Sequence, residues 1–326
     1  MILTRSPLRI SLGGGGTDLP SYYEAHGGFV LSAAIDKYVY VAVNKPFVDE
    51  FILKYSEFER ITELGDIKHP IIRESLRLLF DEKQKVEIST IADIPSGTGL
   101  GSSGSFTVGL LKALAMYVNQ PLQAESLAQL ACRVEMDILK EPIGKQDQYI
   151  AAYGGITQFE FFPEGLVNST VINLSQKIIH DLEDNLLLFY TGTSRSASAI
   201  LKDQVEKSAL QNEDMLKNLH YTKELGIKSK QLLLDGKLHS YGQLMHEHWM
   251  HKKSRSGGMS NLGIDTAYES ALKNGAVGGK LVGAGGGGFL MFYASDPEKL
   301  RAAMEKFGMD EVRFKFDFQG ATVVIS

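Results

Sequence analysis

The stretch "PSGTGLGSSGSF", residues 95–106, limits the folding options of this 326-residue chain more than any other. It sets glycines at 97, 99, 101 and 104 with serines interleaved. Ordering a glycine tract costs more backbone entropy than ordering other sequence, so a folded chain keeps one where it needs positive φ or close backbone approach. After Ser102 the apolar residues Phe106, Leu110, Leu114 and Val118 recur every four positions, which predicts a helix beginning at the tract. Two further tracts, "LGGGGTD" at 12–18 and "GAGGGGF" at 283–289, repeat the demand at either end of the chain.

Three uses of the central tract compete. The phosphate loop GxxxxGK[ST] is absent. The dinucleotide pattern GxGxxG occurs at Gly99–Gly104 and again at Gly283–Gly288, but glycine-rich chains produce it by chance. Its fold also wants the tract in the first turn of an alternating βαβ run, which the flanking segments do not provide. The third use is a loop that enters a helix N-terminus with backbone N–H groups turned toward an anion. Ser102 and Ser103 then offer hydroxyls to phosphate oxygens or to a bound magnesium ion. A plain serine N-cap after a turn is the alternative; it accounts for two residues and leaves four glycines unexplained.

Around the tracts the chain reads as α+β. "TRSPLRISLG", "GGFVLSAAIDKYVYVAVNKP", "FILKYS" and "KVEIST" have strand character, interrupted by a helix at "PIIRESLRLLF". A helix from about Leu122 to Leu139 turns Leu127, Leu130, Val134 and Ile138 inward and stops at Pro142 and Gly144. A short helix at "QYIAAYG" and strands at "ITQFEFF" and "NLLLFYTG" follow. Residues 196–255 are mostly helical. In "HSYGQLMHEHWMHKK" the histidines 246, 248 and 251 do not share one helical face, so a solvated helix near a ligand is expected there rather than a zinc site. The tail reads helix, strand, strand, helix, then strands at "EVRFKFD" and "ATVVIS", as in an α+β domain with helices on one face of a mostly antiparallel sheet. A turn at "PEGLVNST" marks a domain boundary between 165 and 185.

Bulk properties exclude several classes. With 34 basic and 39 acidic residues the net charge is −5, which argues against a general nucleic-acid binder. The single cysteine, Cys132, rules out an intramolecular disulfide and lies in a helical pattern as a buried core residue. The N-terminal segment does not read as a signal peptide, and "LVGAGGGGFLMFYAS" is too short for a membrane span. A cytoplasmic protein with no nucleic-acid or membrane partner is expected, as a monomer or homodimer.

A phosphate-transfer site also needs a metal carboxylate, a group to receive or orient the acceptor's proton, and positive charge. Glu135 and Asp147, twelve residues apart across a helix break, are candidates; taken singly each is equally a surface or capping acid. Together these features resemble the GHMP kinases, the family of galactokinase, homoserine kinase, mevalonate kinase and phosphomevalonate kinase. "PSGTGLGSS" is similar to that family's PxxxGLGSS loop, "SPLRISLGGGGTD" to its N-terminal substrate motif, and "KLVGAGGGGF" to its C-terminal glycine motif. The Glu135–Asp147 spacing resembles that of galactokinase.

The resemblance implies a two-domain α+β fold. Residues 1–175 would form an ATP-binding domain like the second domain of a small-ribosomal-subunit protein, and 176–326 a ferredoxin-like C-terminal domain. It implies that Pro95, Gly97, Thr98, Gly99, Leu100, Gly101, Ser102 and Ser103 bind ATP. Ser102 or Ser103 with Glu135 would hold Mg²⁺, Asp147 would act as the base, and Arg9 would stabilise charge on the moving phosphate. Gly14, Gly15, Gly16, Thr17 and Asp18, with Gly285 and Gly286, would meet the sugar. Gly15 and Gly16 stand where galactokinase has Glu and His, which leaves room and disfavours galactose. Within the family, "RSPLRISLGGGGTDLPSYYEAHGGFVLSAAIDKYVYV", "YTGTSRSAS" and "HEHWMHKKSRSGGMSN" resemble the kinases of D-glycero-D-manno-heptose 7-phosphate, with L-fucokinases next. A phosphorylated sugar requires a second anion site, for which Arg195 is expected, with Lys252, Lys253 and Arg255 as weaker candidates against a solvated basic face.

Overall fold

The computed structural model describes residues 1–80, 84–193, 198–210, 212–255, 258–283 and 285–326. Its first half builds one large sheet from β1 (Ile2–Gly13), then, after a short helix α1 (Pro20–His26), β2 (Gly28–Asn44), β3 (Phe51–Lys54) and β4 (Phe58–Ile61). Helix α2 (Pro70–Leu79) and strand β5 (Glu87–Ala92) precede the glycine tract. The 17-residue β2 is the spine of this sheet. One edge pairs with β1, while the other pairs with β5 at residues 39–44 and with β6 (Ile156–Phe161) at residues 28–33.

Three helices cover one face. Helix α3 (Ser102–Tyr117) starts at the tract, as its four-residue period requires, and packs on β1 and β2. Helix α4 (Ala124–Cys132) continues into a π-helical turn over Arg133–Ile138, and α5 (Gln146–Tyr153) follows. The π turn corrects an expectation. A continuous α-helix would have pointed Ile138 inward, but Ile138 is 38% exposed while Glu135 is 1% exposed. Widening the turn by one residue puts the partly buried Leu139 where Ile138 was expected, while Glu135 stays on the α-helical face of buried Ala128 and Ala131.

"PEGLVNST" forms the turn its composition suggests. It is a hairpin turn leading into β7 (Val167–Val171), which pairs with β6 and belongs to the first sheet. The chain then passes through α6 (Gln176–Asn185) into β8 (Leu186–Tyr190), α7 (Ser198–Ala209), α8 (Glu213–Leu234), α9 (Leu238–Arg255) and α10 (Leu262–Lys273). A second sheet, ordered β8–β10–β9, contains β9 (Ala276–Leu281) and β10 (Phe289–Ala294) and is antiparallel, with α11 (Pro297–Glu305) after it.

Two tail expectations change. "EVRFKFD" makes only isolated bridges, Glu311 to Phe189 and Phe316 to Ile35. The final strand, β11 (Thr322–Ile325), leaves the second sheet and pairs with β1. The largest core accordingly spans both sheets, joining Leu8 and Leu12 of β1 to Tyr241 and Met245 of α9 and Met291 of β10. Helix α9 is therefore not a solvated helix: Trp249 is fully buried and His248 is 4% exposed. Cys132 is buried as expected.

Candidate active site

Where the sheets and α9 meet lies a cavity of about 410 Å³, and the glycine tract is one wall of it. The N-cap of α3 is Gly101, in the left-handed region at φ 77°, with no side-chain cap. The serine N-cap alternative therefore fails, and the first N–H groups of α3 are left without a capping side chain. Glycine is needed at 101 and 104 because the catalytic candidates press against them. A Cβ on Gly101 would stand 3.1 Å from Arg9 Cγ and 3.2 Å from Asp147 Cγ, and one on Gly104 would meet Asp147 Cβ at 2.7 Å. Gly99 and Gly283 abut so closely that a Cβ on Gly283 would lie 2.6 Å from the Gly99 Cα. Two of the three tracts thus pack on each other.

Arg9 projects from β1 and Asp147 from the first turn of α5, and they form a bidentate pair. Arg9 Nε donates to Asp147 Oδ1 at 2.7 Å and Nη2 to Oδ2 at 2.9 Å. Arg9 Nη1 donates to the Gly99 carbonyl, tying the pair to the loop. Asp18 lies alongside, accepting from the backbone amides of Gly16 at 3.0 Å and Gln146 at 3.1 Å. Burial raises its carboxyl above the ordinary value, and the Gln146 amide works against that rise. Gly144 admits Asp18: a Cβ there would collide with Asp18 Oδ2 at 1.9 Å.

Glu135 is the second buried carboxylate. It accepts from Ser103 Oγ and, at 2.7 Å, from Gln148 Nε2. Burial pushes its carboxyl up, and the Ser103 and Gln148 bonds oppose that. Ser102, next to Ser103 in sequence, has a buried Oγ with no partner among the described residues. An unpartnered hydroxyl, a second serine and one desolvated carboxylate are hard oxygen donors that suit magnesium, which takes few protein ligands and completes its shell with phosphate and water. Among the described residues no group of three or more His, Cys, Asp or Glu gathers as a self-sufficient metal cage.

The opposite wall is basic; Lys252 and Arg255 were among the weaker anion-site candidates, whereas Lys280 and His248 were not expected there. His248, Lys252 and Arg255 follow at i, i+4 and i+7 on one face of α9, and Lys280 comes from β9; all four line the cavity. Lys252 donates to the carbonyls of Leu281 and Gly283. Burial first, then Arg255 and Lys280, push its ammonium well below the usual range. Burial and Arg9 bring Lys280 down to about 7. His248 is held well below its ordinary value by burial, then by Lys280 and Arg255. The periodicity of the KKSR run was the available signal, but only packing separates Lys252 and Arg255 from Lys253, which pairs with Asp265 at 3.1 Å.

The other expected residues divide. Gly15, Gly16, Gly97, Gly99, Gly101 and Ser103 line the cavity with Arg9, Asp18, Glu135 and Asp147. Pro95, Thr98, Leu100 and Ser102 build the loop behind that wall; Thr98 Oγ1 donates to the Pro95 carbonyl at 3.0 Å, and Leu100 O accepts from the Arg9 amide at 2.9 Å. Gly14 and Thr17 hold the first tract against β2, with Thr17 Oγ1 donating to the Gly14 and Phe29 carbonyls. Gly285 and Gly286 do not line the cavity but pack on Met259, and Gly283 occupies the wall instead. Arg195 lies outside the described residues.

The chain matches family models described as GHMP kinases N terminal domain, over residues 70–155, and GHMP kinases C terminal, over residues 229–309. It is 33% identical to a D-glycero-alpha-D-manno-heptose 7-phosphate kinase of Campylobacter jejuni, over 91% of this chain and 90% of that one. A bifunctional fucokinase/GDP-fucose pyrophosphorylase of Arabidopsis thaliana is 26% identical over 94% of this chain, which spans only 31% of that longer protein. Among solved structures, a D-glycero-D-manno-heptose 1-phosphate kinase from Bacteroides thetaiotaomicron superposes with a TM-score of 0.81 at 25% identity, covering 100% of this chain and 99% of that one. A putative sugar kinase from Campylobacter jejuni gives 0.79 at 30% identity, over 99% and 97%.

Proposed function

The chain belongs to the GHMP kinase family, as an ATP-dependent sugar kinase with the two-domain fold of that family, and we propose that it phosphorylates the anomeric hydroxyl of D-glycero-D-manno-heptose 7-phosphate. The product is then the 1,7-bisphosphate, an intermediate of GDP-heptose and surface polysaccharide synthesis, made in the cytoplasm from ATP and a phosphorylated sugar. The observation that carries this reading is the cavity's two-sided electrostatics. One wall holds the glycine loop and the Arg9–Asp147 pair, and the other holds the buried cations Lys252, Arg255 and Lys280, none of which is ion-paired to a carboxylate among the described residues. Two anions, a triphosphate and a sugar phosphate, account for both walls.

The loop at 97–103 and the uncapped start of α3 receive the triphosphate. Magnesium, held by Glu135 with Ser103 or Ser102, supplies neutralisation of phosphate charge when bound. Asp18 fixes the sugar hydroxyls. Asp147, clamped in plane by Arg9, accepts or orients the proton of the attacking hydroxyl. Arg9, already anchored to the loop carbonyl, lies beside the moving phosphoryl group and stabilises its charge. Positioning and charge neutralisation supply most of the rate in such transfers.

ADP release measured against heptose 7-phosphate, heptose 1-phosphate, L-fucose, galactose and mevalonate tests the substrate. Turnover with heptose 7-phosphate alone is expected; turnover of fucose without it would refute the assignment in favour of a fucokinase. Asp147→Asn is expected to lower kcat by roughly 100-fold or more while ATP binding persists. Unchanged turnover in that variant would remove Asp147 from the mechanism.

A further inference from the structure

Contacts order the cavity from one end to the other. Arg9 joins the glycine loop, through the Gly99 carbonyl, to Asp147. Asp18 comes next, bound to the Gly16 and Gln146 amides. Beyond it the Gly16 carbonyl accepts from Gln204 Nε2 at 3.1 Å, and Arg255 Nη1 stands 3.4 Å from both Gly15 O and Gln204 Oε1. Arg255 and Gln204 therefore sit at the end remote from the loop, with Asp18 in between.

The guanidinium of Arg255 is buried, and its partners are all neutral. Nε donates to Asn218 Oδ1 at 2.9 Å and Nη2 to Thr222 Oγ1 at 2.7 Å. These two bonds fix its plane, whereas the Nη1 contacts at 3.4 Å are at the outer limit of hydrogen bonding and free that arm to retarget. The Asp18 carboxylate favours the guanidinium's charge without bonding it, and a buried cation with no bonded counter-charge stays costly until an anion arrives. His248 lies two turns earlier on the same face, buried, lining the cavity and without a hydrogen bond among the described residues. Space is reserved as well: a Cβ on Gly16 would stand 2.6 Å from Arg255 Nη1. Lys252 and Lys253 are committed elsewhere, to the Leu281 and Gly283 carbonyls and to Asp265.

We propose that Arg255, with Gln204 and His248, receives a phosphate monoester that the substrate already carries at the end remote from the hydroxyl being phosphorylated. The proposal rests on the sugar-phosphate reading above. A planar fork with one mobile arm, an amide and an imidazole match the three oxygens of a terminal phosphate. The glycines at 15 and 16 keep the passage from Asp18 open.

The test compares KM values for ATP and sugar phosphate in the wild type and in Arg255→Met, with inorganic phosphate as a probe. In the wild type, inorganic phosphate is expected to compete with the sugar phosphate. In Arg255→Met the sugar-phosphate KM is expected to rise roughly 30-fold or more, with the ATP KM unchanged and phosphate inhibition lost. Should Arg255→Met fail to fold, Arg255→Lys and Gln204→Ala replace it, with smaller rises in the same KM. A folded variant whose sugar-phosphate KM stays within about twofold, or whose ATP KM rises instead, overturns the subsite but leaves the substrate assignment standing. A wild-type enzyme that accepts only unphosphorylated sugars overturns both.

Discussion

Lys280 faces Arg9 across the cavity with no carboxylate partner among the described residues, and burial brings its ammonium down to about 7. Between that value and the ordinary lysine value the unfolded chain binds more protons than the folded one. Stability of the ligand-free protein therefore rises as pH climbs through that window, while below about 7 the full penalty persists. Lys252, shifted in the same direction, adds to the slope. Thermal denaturation from about pH 7 to 9 is expected to show a rising midpoint. Lys280→Met is expected to be more stable at neutral pH and to have a shallower slope; identical slopes would remove Lys280 as the cause. At this scale Arg9, Asp18, Glu135 and Asp147 were legible because each sits in or near a motif whose spacing constrains it. Lys280 and His248 were not, because a lysine in "GGKLVG" or a histidine on a helix carries no sign of the face it presents.

Among the elements, α3 and α5 set the position of Asp147. Gly104 lets α3 press against the start of α5: a Cβ there would lie 3.1 Å from the Asp147 carbonyl carbon and from the Gln148 amide nitrogen. Backbone cannot swing aside as a side chain does, so Gly104→Ala must separate the two helices. Alanine's helix propensity favours the variant by about 1 kcal/mol, and overpacking costs about 1–3 kcal/mol. Stability is thus expected to change little while Asp147 is displaced, and kcat to fall about tenfold or more. A variant with wild-type turnover would show that the contact is slack. The π turn after α4 acts at the same level. The α-helical period of "LAQLACRVEMDIL" implied a regular helix, and no sequence rule marks where one widened turn moves Ile138 outward.

Over the whole molecule the chain closes on itself. β11 pairs with β1, and Gly155 and Asp317 join the two halves through the Gly155 N–H to the Asp317 carbonyl at 2.6 Å. Since β1 also carries Arg9, the last strand braces the strand that holds Arg9 against Asp147. Removing residues 321–326 deletes a ladder of backbone bonds, each worth about 1 kcal/mol net. The urea midpoint is expected to fall by an amount equivalent to roughly 2–4 kcal/mol, with kcat falling as well. An unchanged midpoint would mean that the second half folds without reference to the first sheet.

The sequence by itself determined the α+β class and the glycine loop entering a helix, and its family resemblance pointed to Arg9, Asp18, Glu135 and Asp147, which the fold gathers around one cavity. Periodicity, turn chemistry and motif spacing are local properties and survive in one dimension. Tertiary structure alone decided that the last strand returns to the first sheet, that one face of α9 is a buried basic wall, and that Gly283 rather than Gly285 meets the cavity. Those outcomes depend on which surfaces exclude water together, and residues far apart in the chain settle that jointly.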